Sequence, residues 1–374
     1  MVRFPLRLPV QRSKPNEHQR RNNPLNAYAP NIRPYRDVDA NAWDAYVSAH
    51  PRGTFSHLIG WKYVFEKALG HQAHYLVAEA ESAPGRIEGV FPLFAVKSLL
   101  FGRSMVSVPF LTYGGILANH NATRDALYQE AIRLTAHAKL DYLEIRNEVE
   151  PLEDLPIKDL YYVFKREISP DDDENLKAIP RKSRRMVRQG KKNDLEARFG
   201  GAELLDTFYE LFAFSYRNLG TPVFPKHYLK KILEEFQDTS SILLIQKDEQ
   251  PLSGVLSLYY KDQVIPYYSG AFLDARRYAA NDYLYWALMS DAAARGYRVF
   301  DFGRSKKDTG SYHFKRHWGF EPQPLPYQYA LNRIKELPDL SPANPKYQKK
   351  IELWKKLPLW ATKILGPHIV KNIP

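Results

Sequence analysis

Two stretches of the chain carry the same order of apolar and polar positions. In GVFPLFAVKSLLFGRSMVSVPFLTYGGILANHNATRDALYQEAIRLTAHAKLDYLEIRNE (89–148) and GVLSLYYKDQVIPYYSGAFLDARRYAANDYLYWALMSDAAARGYRVFDFGRS (254–305), two apolar strands are followed by a helix, a tight turn and a third strand. Helical period fixes the middle element: Leu127, Ala131, Leu134 and Ala138 in one copy, Leu284, Ala287, Leu288 and Ala292 in the other. Matching positions lie roughly 155 to 165 residues apart. Each unit is preceded by a helical lead-in, GWKYVFEKALG (60–70) and LLDTFYELFAFSYRNLG (204–220). The pattern predicts a duplicated α/β unit with mixed sheets, over 31–165 and 166–335, between an N-terminal arm (1–30) and a C-terminal amphipathic tail (336–374).

At 374 residues, with 44% hydrophobic and 13% aromatic residues, the chain has enough apolar side chain to fill two cores. No run of about 18 apolar residues and no signal-peptide h-region is seen, so a cytoplasmic body is expected. Absence of cysteine excludes thiolate nucleophiles, thiolate metal sites and disulfides. The net charge of +12 is unevenly placed: residues 1–36, 177–198 and 346–374 carry +7, +7 and +6, leaving about −8 elsewhere. Three basic segments on an acidic body point to contacts with phosphates or an anionic membrane surface, or to solvated tails at the two ends.

The triplet Asp301-Phe302-Gly303 spells the kinase magnesium motif, but the Gly-rich loop, VAIK-type lysine and HRD-type loop that must accompany it are missing. The duplication gives the triplet another meaning: it is the end of a strand that follows a helix. RRMVRQGKKN lacks the first glycine and the Ser/Thr of a P-loop, and no GxGxxG or GxSxG is present. The pair His313/His317 lacks the glutamate of HExxH, and His71 and His74 form no better cluster, so no metal is expected. In AIPRKSRRMVRQGKKNDLE, Pro180 suits a helix's first turn, and Arg181, Arg184, Arg185, Arg188, Lys191 and Lys192 crowd one face. That face is either solvated or built for a polyphosphate: tRNA, a diphosphate-linked lipid or nonspecific nucleic acid.

The duplicated unit, PRKSRRMVRQGKKNDLEARF, IPYYSGAF, AANDYLYWALMSDAAARGYRVFDFGRS and YHFKRHWGF together resemble FemAB-type transferases of the GNAT superfamily. The tail NPKYQKKIELWKKLPLWATKILGPHIVKNIP brings the resemblance nearest to the FemAB-like proteins associated with exosortase/PEP-CTERM systems. The resemblance covers nearly the whole chain after residue 30 and implies two tandem GNAT-like domains. It also implies transfer of an acyl group from aminoacyl-tRNA or acyl-CoA, with no other cofactor, to an amine or hydroxyl of a peptidoglycan or exopolysaccharide precursor. The helical hairpin inserted in some members and the Q/R-x-x-G-x-G/A loop for pyrophosphate are absent.

In GNAT-like domains the reacting groups lie where two central parallel strands splay, which here implies VIPYYSGAF and YRVFDFGRS, with Tyr267, Tyr268, Asp301 and Arg304. Neighbouring tyrosines alternate along a strand, so one of Tyr267 and Tyr268 is expected to face the site and the other the core. Phe314 and Lys315 resemble a Phe-Lys pair that FemAB enzymes hold near the tRNA end and the reacting carbonyl, where a cation would offset the oxyanion; otherwise Lys315 is a solvated loop lysine. Asp301 is either a general base or a carboxylate bonding loop amides. In the tail, Ile351, Trp354 and Leu357 recur at helical spacing beside Lys349, Lys350, Lys355 and Lys356, and Pro358 interrupts. This suits either peripheral contact with the inner membrane or docking on the first unit. A degenerate scaffold that binds RNA or a lipid-diphosphate saccharide without catalysis is the alternative.

Overall fold

Runs with a period near two form strands and runs with a period of 3.6 form helices, and the two kinds of element assemble into three mixed sheets with helices packed on them. The structure is a computed structural model, and it describes residues 30–81, 83–98, 101–148, 151–338 and 345–373. The basic arm expected over 1–30 lies outside the described residues except for its last residue.

A four-stranded sheet holds Asn31–Pro34, Leu76–Ala80, Ala83–Phe91 and Leu117–Ala118. A six-stranded sheet continues the first half with Phe94–Ser98, Gly102–Val106 and Tyr142–Arg146, of which the last two are parallel. A seven-stranded sheet forms the second half around Ser240–Lys247, Gln250–Tyr260, Gln263–Ala271 and Val299–Lys306, again with its last two strands parallel. The helices Asn121–His137 and Ala280–Ala294 connect the parallel pairs, with Leu127, Ala131, Leu284, Leu288 and Ala292 buried where the period put them.

The two halves trade strands. Tyr161–Glu167, at the end of the first half, pairs with Val299–Lys306 in the second-half sheet, while Tyr327–Leu331 returns to pair with Tyr142–Arg146 in the first-half sheet. Helices complete the union: Gly60–Leu69 packs on Lys226–Glu235, with Trp61 and Phe236 rings 5.1 Å apart and Phe65 and Tyr228 rings 6.1 Å apart. One apolar core therefore runs from Trp43 and Trp61 to Phe208, Phe212 and Tyr228. Truncating such a buried aromatic costs about 3–5 kcal/mol, so neither half keeps its core alone.

Contacts also correct the lead-in assignment. Ala40–Ala49 packs on Ala83–Phe91 as Leu205–Leu219 packs on Gln250–Tyr260, so these two correspond, and Gly60–Leu69 corresponds to Lys226–Glu235. Amphipathic helices of similar length look alike in sequence, and only their packing partners tell them apart. The acids before Pro180 belong to a separate short helix, Asp172–Ala178, capped by the Asp171 carboxylate accepting from the Asp173 amide, and the basic helix Arg181–Lys192 begins anew after Pro180.

Candidate active site

Strands Gln263–Ala271 and Val299–Lys306 pair at only two positions, Gln263 with Val299 and Val264 with Phe300, and then diverge. Each carries an extra residue at the point of divergence. Between the pairs Leu256–Tyr268 and Ser257–Pro266, Tyr267 is unopposed; between Lys165–Asp301 and Val163–Arg304, Phe302 and Gly303 face the single residue Phe164. Gly303 sits at φ +66°, a left-handed conformation that glycine adopts at least cost, and its amide donates to Asp301 Oδ1 at 2.7 Å. That is the physical content of the DFG triplet: an aspartate fastening a glycine bulge where a strand peels away.

The divergence opens a cleft of about 480 Å³. Tyr267, Tyr268, Arg304, Phe314 and Lys315 all line it; the bulge brings both tyrosines to the wall, where alternation along a regular strand would have turned one of them into the core. Their rings are 4.5 Å apart; Tyr267 Oη donates to the Phe110 carbonyl at 3.3 Å and the Tyr268 and Tyr228 hydroxyls share a 3.1 Å hydrogen bond. Burial raises the pKa of both phenols, so they stay protonated at neutral pH.

Lys315 is not a solvated loop lysine. It is 8% exposed on the helix Gly310–His317, whose N-cap Thr309 hydroxyl accepts from the Tyr312 amide. Its Nζ donates to the carbonyls of Gly303 and Arg304, both at 3.1 Å, and lies 5.4 Å from the centre of the Phe164 ring. Burial, reinforced by the Arg304 charge and only partly opposed by Asp301, pulls its pKa down to about 7.

Arg304 is clamped between the halves. Its guanidinium lies 4.6 Å from the Tyr161 ring centre and donates to Tyr327 Oη at 2.8 Å, and Tyr327 in turn donates to the Thr112 carbonyl at 2.5 Å. Burial disfavours its charge, but Tyr327 and Tyr161 outweigh it and the pKa is raised. Both tyrosines arrive on traded strands.

Asp301 does not line the cleft. Its carboxylate is fully buried, with Oδ1 on the Gly303 amide and Oδ2 accepting from Tyr113 Oη at 2.9 Å, 3.7 Å from Lys165 Nζ. Lys165 also pairs with Glu148. Burial disfavours the Lys165 ammonium, but Asp301 and Glu148 more than offset this and raise its pKa. The geometry is that of the bonding carboxylate.

The basic helix also stands apart from the cleft lining. Ser183, Val187 and Gly190 face inward, Gly190 so near Tyr283 that a Cβ would lie 2.6 Å from that side chain's Cβ. Arg181, Arg185 and Arg188 are exposed and Arg184 is half-buried; no described residue forms a hydrogen bond or ion pair with any of their guanidinium groups. The helix starts beside the cleft helix, since Ser183 Oγ donates to the His317 carbonyl at 2.8 Å. Its cations therefore continue onto exposed Arg316 and His317.

Several lining residues escaped the sequence reading. Phe110 and Thr112 come from a first-half loop, and Ser305 is 5% exposed with a hydroxyl that has no hydrogen-bond partner among the described residues. Only the FGRS context of Ser305 gave any signal. Among the described residues no group of three or more His, Asp or Glu is placed to hold a metal; His71 is buried and donates to the Lys371 carbonyl at 2.7 Å.

The family described as "Acetyltransferase (GNAT) domain" matches residues 176–316, the segment that contains the basic helix, both splayed strands and Lys315. Solved structures extend the likeness to both halves as a tandem GNAT-type fold. FemX is 16% identical and aligns over 81% of this chain and 98% of its own at a TM-score of 0.63. The DUF2156 C-terminal domain of a candidate lysylphosphatidylglycerol synthetase from Agrobacterium fabrum is 13% identical over 79% of this chain and 92% of its own, at 0.54. A tandem GNAT protein from the clavulanic acid biosynthesis pathway is 11% identical over 82% and 100%, at 0.53. No curated protein matches the sequence.

Proposed function

We propose that the chain is an acyltransferase whose second-half cleft joins an activated acyl donor, aminoacyl-tRNA or acyl-CoA, to an amine or hydroxyl acceptor. The observation that carries this reading is Lys315 at the strand divergence. Two of its nitrogen's positions are taken by the Gly303 and Arg304 carbonyls, leaving one for a ligand. In the neutral form that position is a lone pair, able to take a proton from the attacking amine or hydroxyl as its bond to the acyl carbon forms. The ammonium so produced faces the developing oxyanion, and the proton then passes to the leaving tRNA oxygen or CoA sulfur as the old ester or thioester bond breaks. No covalent enzyme intermediate is needed, in keeping with a chain that lacks cysteine and any nucleophile elbow.

Tyr267 and Tyr268 supply neutral hydroxyls to the wall, Ser305 a free one, and Phe314 an apolar face beside the lysine. Arg304 holds the two halves together at the cleft floor. The unpaired row Arg181, Arg184, Arg185 and Arg188 suits the donor's phosphates. The acceptor we favour is a peptidoglycan or exopolysaccharide precursor, met by a cytoplasmic protein peripheral to the inner membrane. The tail pattern shared with exosortase-associated FemAB-like proteins supports this choice, as does the likeness to FemX.

Transfer of labelled acyl from charged tRNA or from CoA to an envelope-precursor extract tests the reading; no transfer from either donor contradicts it. The unpaired basic helix favours one further reading, a binding protein for a phosphate-rich ligand without turnover. That reading predicts RNA binding that weakens steeply with salt and is indifferent to whether tRNA is charged.

A further inference from the structure

The C-terminal tail docks on the body yet leaves its outer side apolar. Two helices, Pro345–Lys355 and Leu359–Val370, meet at Pro358 and pack on Leu205–Leu219 of the second half rather than on the first unit alone. Trp354, Ala361, Thr362, Gly366 and Val370 face inward. Gly366 lies so close to the body that a Cβ there would be 2.7 Å from the Val223 carbonyl oxygen, so the second helix cannot turn about its axis to bury another face. A helix held this way should show polar residues outward. Instead Leu353 is 65% exposed, Trp360 67%, Ile364 58% and Leu365 46%.

Charge selects what covers this ridge. Residues 346–374 hold seven lysines against Glu352 alone, and Lys349, Lys350 and Lys356 are exposed beside the apolar residues. A two-fold contact with a second copy would bring lysine against lysine. An anionic bilayer accepts both components, the apolar side chains at the headgroup boundary and the lysines on lipid phosphates. No described helix is long and apolar enough to cross a membrane, so the contact is interfacial.

We infer that the tail's outer face, Leu353, Trp360, Ile364 and Leu365 with their flanking lysines, is a docking surface for an anionic lipid bilayer. The tail lies against the end of a helix that lines the cleft. Leu219, 70% exposed, lines the cleft at the end of the helix on which the tail lies. Its neighbour Gly220 abuts Ile351, and Arg217 Nη1 donates to the Leu357 carbonyl at 3.3 Å. Docking therefore sets the cleft mouth beside lipid headgroups; resting on the transfer reading, this makes the acceptor a lipid-borne amine or hydroxyl rather than a freely diffusing one.

Trp360 makes the test clean, because the other five tryptophans are each 9% exposed or less. The full chain is mixed with phosphatidylcholine vesicles and with vesicles containing phosphatidylglycerol, some brominated in the acyl chains. Expected are cosedimentation at least about tenfold stronger with phosphatidylglycerol and quenching of the Trp360 emission by bromine. Trp360→Ser with Ile364→Ser, surface changes that leave the fold intact by circular dichroism, should weaken binding by about tenfold. Lys349→Glu with Lys350→Glu and Lys356→Glu should remove the preference for phosphatidylglycerol. Absence of binding, indifference to lipid charge, or binding unmoved by the Trp360/Ile364 pair overturns the inference. So does a dimer in light scattering that the same pair dissolves, since a second copy would then cover the face. Binding without transfer leaves the surface standing and removes only the acceptor class; transfer without binding does the reverse.

Discussion

The two openings between parallel strands have the same origin and opposite fates. In the first half, Gly102–Val106 and Tyr142–Arg146 stay paired as far as Val106 and Glu144, and the Ser107 amide and hydroxyl carry the union onward to Glu144 and Arg146. Arg146, 2% exposed, then plugs the remaining space, donating to Glu144 Oε1 at 2.8 Å and to the Val108 and Leu111 carbonyls at 3.1 Å. In the second half glycine stands where Arg146 stands in the first, and a cleft remains. The loop that closes the first opening supplies Phe110 and Thr112 to the wall of the second. Duplication has thus produced one closed copy that buttresses one open copy.

The largest effect should come from unplugging the first opening. Arg146→Ala leaves the Glu144 carboxylate buried without its partner and should cost about 3–5 kcal/mol, read as a fall in urea midpoint. The loss should spread to the cleft, since the same loop forms its wall. Lys315→Met should lower kcat/KM for transfer by about 10²- to 10³-fold while leaving thermal stability unchanged or raised, because a buried amine is replaced by an apolar chain of similar length. Asp301→Asn should behave the other way, weakening the Lys165 and Gly303 contacts and lowering stability by about 1–3 kcal/mol, with turnover per folded molecule changed far less. A Cβ at Gly115 would overlap Asn147, so Gly115→Ala should cost about 1–3 kcal/mol through the first opening alone.

The pH dependence sharpens the contrast further. The neutral Lys315 amine is the working form, so kcat/KM should rise with pH through about 7, and Lys315→Met should abolish that limb. Stability follows the same group. Its folded pKa lies below that of an unfolded lysine, so between about 7 and ~10.4 the unfolded chain binds the extra proton and stability should climb with pH across that window. Titration of urea midpoints for the native chain and Lys315→Met would show the slope in the first and its loss in the second.

Much of this was legible in the chain. The repeat, the helices Asn121–His137 and Ala280–Ala294 and a strand through Asp301 follow from periodicity, which local residues determine; the strand does not end at Gly303 as expected but passes the bulge there and runs on to Lys306, paired with Tyr161–Val163. The resemblance pointed to Tyr267, Tyr268, Arg304, Phe314 and Lys315, and all five meet in the cleft. Hidden were features made by distant partners. The exchange of Tyr161–Glu167 and Tyr327–Leu331 leaves each strand's own pattern unaltered, whichever sheet receives it. The bulge at Tyr267 depends on the register with Leu256 and Ser257, and no pattern within IPYYSGAF announces it. Asp301 was ambiguous for the same reason, because Tyr113 and Lys165 reach it from far along the chain. The outward Trp360 and Ile364 became visible only once Gly366 fixed the tail's orientation.

Crystals soaked separately with CoA and with a hydrolysis-resistant aminoacyl-RNA end mimic test the central claim most directly. The account predicts that one of them binds between Gln263–Ala271 and Val299–Lys306, with its acyl carbonyl within hydrogen-bond reach of Lys315 Nζ and nothing at the Arg146 plug. Density for a donor in the first opening, or a donor bound away from Lys315, would contradict it.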